Sequence, residues 1–93
     1  MARISIFGIG YVGAVAAACL ARDGHKVIAV DVVEDKVDLI NRGQSPIVET
    51  GLGALIAKGI DSDRLFATSD ASFAIDQTDV SLICELRPCF RTV

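Results

Sequence analysis

The chain has 93 residues and a mass of 9.8 kDa, room for one small domain that buries about two-thirds of its unfolded surface. Hydrophobic residues make up 52% and charged residues 23%, with a mean hydropathy of +0.50, a balance that excludes intrinsic disorder. Nine Lys+Arg against twelve Asp+Glu give a net charge of −3 without a basic cluster, which argues against nucleic acid as the main partner.

Arg3-Ile-Ser-Ile-Phe7 is a short β-branched and aromatic run ending at a glycine, the pattern of a buried strand. Gly8-Ile-Gly-Tyr-Val-Gly13 follows, and Ala14 to Arg22 is dense in good helix formers. Ile4 to Ala21 is an uncharged stretch of eighteen residues behind Arg3, the superficial outline of a signal peptide or a short membrane span. Three glycines interrupt it, and alanine and glycine anchor weakly in lipid. A soluble chain with no membrane partner is therefore expected.

Asp23-Gly24 stops the first helix, since a glycine past the last turn accepts the left-handed cap. Lys26-Val-Ile-Ala-Val30 is a second strand, uniformly apolar as parallel strands covered on both faces are. Glu34 to Asn41 reads as a helix closed by Arg42-Gly43, and Gln44 to Thr50 as a loop around Ser45-Pro46. Leu52 to Lys58 is a short helix ended by Gly59. Arg64 to Thr68 is a strand, Ala71 to Asp76 a helix, and Val80-Ser-Leu-Ile-Cys84 another strand of buried type. The order β-α-β-α-α-β-α-β, with crossovers too long for hairpins, predicts a parallel α/β sheet. Glu85 to Val93 breaks the pattern, with no glycine and no helical period. Residues 1–84 are thus expected to form a partial domain, and residues 85–93 an irregular tail that adds little stability. A sheet ending on the fourth strand leaves Val80, Leu82 and Ile83 on an apolar edge.

Gly8-x-Gly10-x-x-Gly13 gains its meaning from context. It follows a strand, opens a helix, and is trailed by a second strand ending in Asp31, eighteen residues past Gly13. Gly8 allows the tight turn, Gly10 lets the backbone approach a pyrophosphate, and Gly13 lets helix and strand pack closely. The helix N-terminus offers N–H groups and partial positive charge to phosphates. Asp31 would accept hydrogen bonds from the adenosine ribose and repel a 2′-phosphate, which favours NAD over NADP. FAD proteins share the fingerprint but usually carry Glu in place of Asp31. The fold class expected is α/β, the first half of a doubly wound Rossmann sheet with strand order 3-2-1-4, whose cofactor crevice lies at the carboxyl ends.

Several segments together resemble the start of the UDP-glucose/GDP-mannose dehydrogenase family. They are Arg3-Ile-Ser-Ile-Phe-Gly-Ile-Gly-Tyr-Val-Gly-Ala-Val15, Gly24-His-Lys-Val-Ile-Ala-Val-Asp31, Lys36-Val-Asp-Leu-Ile-Asn41 and Gly43-Gln-Ser-Pro-Ile-Val-Glu-Thr-Gly-Leu52. Ser45-Pro-Ile-Val-Glu49 and Thr78-Asp-Val-Ser-Leu-Ile-Cys84 look most like the GDP-mannose-oxidising branch, which serves alginate-type polysaccharide synthesis. The resemblance covers residues 1–84. It implies a cytoplasmic, NAD-dependent, four-electron oxidation of a sugar-nucleotide C6 alcohol to a carboxylate, in an oligomeric full-length enzyme. It also implies cofactor contacts at Tyr11, Val12, Asp31 and Lys36, the last of which would otherwise read as a solvated helix-face lysine.

The departures are specific. Thr50 stands where the family usually has Pro. Glu85-Leu-Arg-Pro88 stands where it continues Val-Gly-Thr-Pro, so Arg87 replaces a threonine that helps hold NAD, and the glycine is lost. The resemblance places the nucleophilic cysteine, which forms a thiohemiacetal and thioester, and the catalytic Lys, Asn and Asp in later segments. No catalytic residue is therefore expected here. Cys19 reads as a small buried helix residue, Cys84 as strand packing, and Cys89 as exposed without a partner to lower its pKa. His25, with nothing near it in sequence to pair with, carries no catalytic role. Three cysteines and one histidine without a C-x-x-C give no zinc site, and the odd cysteine count fits a reducing cytoplasm.

Two readings follow. The first is the N-terminal, NAD-binding piece of a sugar-nucleotide 6-dehydrogenase acting on GDP-mannose, alternatively UDP-glucose, interrupted near residue 85 by truncation or frameshift and inactive alone. The second is a stand-alone NAD-binding module without catalysis.

Overall fold

The computed structural model describes residues 2–46 and 50–83. Four strands, β1 (Arg3–Phe7), β2 (Lys26–Val30), β3 (Leu65–Thr68) and β4 (Val80–Ile83), are connected by four helices, two of them between β2 and β3. These are α1 (Tyr11–Arg22), α2 (Glu34–Asn41), α3 (Leu52–Asp61) and α4 (Ala71–Gln77). The sheet is parallel throughout, in the expected order β3-β2-β1-β4. Phe7 pairs with Val30 on one side and with Ile83 on the other, so three strands end together beside the glycine turn.

Alternation divides the sheet into two unequal faces. Ile4, Ile6, Val27, Ala29, Leu65 and Ala67 line one face, against the alanines of α1, Ile40 of α2 and Ile56 of α3. Four buried alanines on α1 let its backbone approach the sheet closely. The opposite face is covered by α4, where Phe73 meets Phe66 edge-on with ring centroids 6.0 Å apart. Ser5 is fully buried there: its Oγ lies 2.8 Å from Ser81 Oγ and 3.0 Å from Thr78 Oγ1, joining β1 to β4.

Three helices end in the same way, with the last carbonyls taken by the two residues beyond the cap. After α1, Gly24 N–H donates to Ala21 and His25 N–H to Leu20; after α2, Gly43 donates to Ile40 and Gln44 to Leu39. Both glycines have the positive φ this turn requires, +103° and +78°. After α3 the pattern recurs with Asp63 donating to Ile60 and Arg64 to Gly59, and here a non-glycine adopts φ +61°.

That turn corrects the expected end of α3. Gly59 does not stop the helix, which runs on to Asp61. Gly59 is buried, and a Cβ there would lie 2.9 Å from Leu65 Cβ and 3.4 Å from Ala21 Cβ. It is a packing glycine, and Asp63 makes the turn. α1 also starts three residues before the expected Ala14, because the glycine turn delivers Tyr11 directly into helical geometry. β3 starts at Leu65 rather than Arg64, and α4 runs one residue further, to Gln77.

The two sheet edges differ. Along β3, Asn41 Nδ2 donates to the Ala67 carbonyl and Asn41 Oδ1 accepts the Ala67 N–H, both at 2.9 Å, so a side-chain amide pairs like one more strand residue. β4, of buried type by composition, is exposed along its length: Val80, Leu82 and Ile83 are 46%, 38% and 77% exposed. Among the described residues this is the apolar edge that was expected. The expectations for Cys84, Cys89 and residues 85–93, with Arg87, lie outside the described residues, as do Ile47, Val48 and Glu49.

Asn41→Ala removes both edge bonds and is expected to lower unfolding free energy by about 1–2 kcal/mol in urea titration. Asn41→Asp keeps the acceptor but sets a carboxylate oxygen against the Ala67 carbonyl, and should cost at least as much as Asn41→Ala. Asp63→Gly relieves the left-handed strain and should raise stability by about 0.5–1 kcal/mol, whereas Gly59→Ala should cost about 1–3 kcal/mol through overpacking. A neutral Gly59→Ala in the same titration would mean that α3 can shift away from β3.

Candidate functional site

The fingerprint sits where the order of the sheet reverses. From β1 the chain crosses through α1 to β2 on one side, and it later returns to β4 on the other, so a crevice opens at the carboxyl end of β1. Gly8 continues the strand ladder for one more bond, its N–H donating to the Val30 carbonyl at 2.8 Å, while its φ of +101° turns the chain away. Ile9 buries its side chain in the core. Gly10 is the N-cap of α1, extended at φ −91° and ψ −157°, and has no side chain to cap the helix.

The first bond of α1 runs from Ala14 N–H to the Gly10 carbonyl at 2.9 Å, so the N–H groups of Val12 and Gly13 lie outside the helical ladder. No acidic residue occupies this first turn. Tyr11 and Val12 are half exposed and Gly13 is buried. A turn with a bare glycine cap, helical N–H groups ahead of the ladder and no carboxylate in the first turn fits a diphosphate.

Asp31 extends β2 by one residue, and its own N–H donates to the Thr68 carbonyl of β3 at 3.3 Å. Its carboxylate turns back on the glycine turn. Oδ2 accepts the Ile9 N–H and Oδ1 accepts the Val33 N–H, each at 2.8 Å. The first bond crosses between strands, and the second closes a local turn of the Asx kind before α2. Lys36 lies in the first turn of α2 with its side chain half-buried, and its N–H donates to the Val33 carbonyl at 3.1 Å. The structure therefore joins Asp31 directly to Gly8-Ile9-Gly10, and Lys36 to that group only through the backbone of α2.

Ile9 and Val33 are the site residues that the sequence did not single out. Both act through backbone N–H groups, which no residue type announces. Beside Tyr11, a shallow cleft of about 250 Å³ is lined by Val15, Cys19, Thr50, Leu52 and Leu55. Cys19 is only partly buried, which corrects the expectation of a buried residue, because its helix face looks into this cleft and not onto the sheet. His25 does have a partner, twenty-three residues away: Nδ1 accepts the Ala2 N–H at 3.0 Å, a structural role that fastens the start of β1. A larger cleft of about 390 Å³ lies at the amino ends of the strands, lined by Arg3, Lys26, Phe66 and Phe73 among others. None of the fingerprint residues reaches it, so we place the site at the smaller, open end.

A glycine turn at the switch point of a parallel sheet, with an aspartate closing the second strand, defines a dinucleotide-binding half of Rossmann type. Known proteins bear this out and narrow it. A sequence model of the UDP-glucose/GDP-mannose dehydrogenase family, NAD binding domain, matches residues 2–91. GDP-mannose 6-dehydrogenase of Pseudomonas putida is 61% identical over 82 residues, covering 88% of this chain and 19% of that protein. UDP-glucose 6-dehydrogenase of Rhizobium meliloti is 40% identical over 89 residues, covering 96% of this chain and 20% of that protein. The 1.55 Å crystal structure of a ternary complex of GDP-mannose dehydrogenase from Pseudomonas aeruginosa matches with a TM-score of 0.91 at 55% identity, over 96% of this chain and 20% of that one. The chain belongs to the UDP-glucose/GDP-mannose dehydrogenase family, as its NAD-binding part, and NAD is the cofactor. It spans about a fifth of the length of the relatives it matches. Among the described residues no helix is long and apolar enough to cross a membrane.

Gly8→Ala places a Cβ on a backbone at φ +101°. It is expected to cost about 1–2 kcal/mol of stability, seen as a lower thermal midpoint, and to weaken NAD binding in calorimetry through a displaced turn. An unchanged midpoint would show that the turn can relax to negative φ.

Proposed function

We propose that this chain supplies the NAD site of a cytoplasmic GDP-mannose 6-dehydrogenase. The overall reaction converts the C6 alcohol of the mannose to a carboxylate, with one water consumed, two NAD reduced to NADH and three protons released. The observation that carries the substrate assignment is the identity of 61% to a GDP-mannose enzyme against 40% to a UDP-glucose enzyme over nearly the same residues. Alginate-type polymer synthesis and an oligomeric enzyme accompany this reading.

Bound NAD supplies the hydride acceptor. The residues of this chain bind and orient it. Gly8 turns the strand out of the way, Gly10 admits the pyrophosphate to the backbone, and the N–H groups of Val12 and Gly13, next to Tyr11, face its charge. Asp31 accepts from the adenosine ribose hydroxyls and, as an anion, repels a 2′-phosphate at that place. Lys36, five residues further on, reaches the same ribose from α2. The sugar and the bond-breaking steps are assigned to other parts of the enzyme.

Titration calorimetry tests this directly. The 93-residue chain is expected to bind NADH with at least about tenfold preference over NADPH, equivalent to about 1.4 kcal/mol. Asp31→Ala should narrow that preference. With GDP-mannose and NAD, the chain alone should give no NADH absorbance. Equal affinity for the two cofactors would overturn the assignment of Asp31, and NADH production would overturn the division of labour.

A further inference from the structure

The carboxylate assigned to the ribose already has two backbone partners before any ligand arrives. Oδ2 holds the Ile9 N–H and Oδ1 the Val33 N–H, at 2.8 Å each. We propose that Asp31 is a positioning residue as well as a ribose ligand: its carboxylate latches the glycine turn to the start of α2 and so presets the diphosphate cradle. This rests on the NAD reading above, and adds a role that does not pass through the ribose.

Three observations support the latch. First, Ile9 stands between Gly8 and Gly10, so a bond to its N–H fixes the plane of the Gly8–Ile9 peptide in the middle of the glycine turn. Its side chain is anchored in the core, and only the carboxylate ties down its backbone donor. Second, the turn into α2 has little else to hold it. Val32 is 88% exposed, and the N-cap Val33 has no polar side chain to cap the helix. The latch therefore also positions Lys36, whose N–H bonds to the Val33 carbonyl. Third, an ionised carboxylate is the one side chain of this length that accepts on both oxygens. Asparagine would offer one acceptor and turn an N–H₂ toward a backbone N–H. Rotation of the Asp31 carboxylate breaks both bonds, so the anion cannot swing aside for a 2′-phosphate. Cofactor discrimination and cradle geometry are set by the same pair of bonds.

The test uses a probe that lacks the ribose hydroxyls, 2′,3′-dideoxyadenosine 5′-diphosphate, beside ADP. If Asp31 acts only through the ribose, substituting it leaves binding of the dideoxy probe unchanged. The latch instead predicts that Asp31→Ala and Asp31→Asn weaken both probes, the dideoxy probe by roughly tenfold in Asp31→Ala and less in Asp31→Asn. Amide hydrogen exchange without ligand reads the latch independently. Ile9 and Val33 amides should be protected in the unsubstituted chain, both should exchange faster in Asp31→Ala and one of the two in Asp31→Asn, while Ala29 in the middle of β2 keeps its protection and reports that the fold is intact. Unchanged dideoxy-probe affinity in the folded variants overturns the proposal. If the unsubstituted chain binds neither probe, the NAD reading fails while the exchange arm still decides the latch: unprotected Ile9 and Val33 amides overturn it, and protection lost on substitution upholds it.

Discussion

Four stretches of backbone meet at the carboxyl end of β2, and Asp31 holds all of them. Its peptide continues β2, its N–H reaches β3 through Thr68, and its two oxygens take N–H groups from the glycine turn and from the start of α2. Bonds to an ionised acceptor are roughly twice as strong as neutral ones, and the one to Ile9 lies partly out of solvent. The geometry follows from the register. Phe7 pairs with Val30, so the residues after them, Gly8 and Asp31, leave the sheet side by side. Parallel pairing of β1 with β2 is thus the condition for the site. The α1 crossover sets that pairing, and buried alanines keep the helix close to the sheet.

The helices are placed by how they end more than by how they begin. None of α1, α2 and α3 has a side-chain N-cap, yet all three close with the same pair of bonds beyond the last turn. At α1 and α3 the closure reverses the chain within two residues and delivers it to the next element. After α1 it leads straight into β2, and after α3 straight into β3. Arg64 reinforces the first of these, its guanidinium donating to the Gly24 carbonyl at 2.7 Å. Open N-termini and closed C-termini suit a domain that presents helix N-termini to an anion: at α1 a side-chain cap would take up N–H groups that the diphosphate needs.

Much of this was legible in the sequence, for definable reasons. A β-branched and aromatic run ending at a glycine announced β1, an apolar run announced β2, and the spacing of Gly8, Gly10, Gly13 and Asp31 announced the turn and its partner, because these residue types are imposed by backbone geometry and charge. What stayed hidden acts through position alone. Gly59 looks like a stop signal in sequence, and only the approach of Leu65 shows that it is there for space. Asn41 ends a helix unremarkably until its amide is seen to complete the edge of β3. Ile9 and Val33 contribute only peptide N–H groups, and His25 finds its partner at the opposite end of the first two elements. Tyr11 and Val12 have modest helix propensity, and α1 nevertheless begins at Tyr11 because the turn, not propensity, starts it.

The two faces of the sheet explain why the site opens where it does. α1 packs on one face and α4 on the other, and they belong to the crossovers that leave β1 and arrive at β4. Between neighbouring strands whose helices lie on the same face, the helices cover the strand ends. Between β1 and β4 the helices diverge and leave the end of β1 uncovered. The parallel ladder between β1 and β4 holds these strands together, and side chains add to it. The buried Ser5 hydroxyl, with Ser81 and Thr78 around it, provides a polar tie beneath the crevice, and Asp79 N–H adds a bond to the Arg3 carbonyl at 2.8 Å. A hydroxyl is small enough to keep the strands in register without filling the space above. β1 thus carries a polar residue on one face, tied to β4, between Ile4 and Ile6, which face the apolar core on the other.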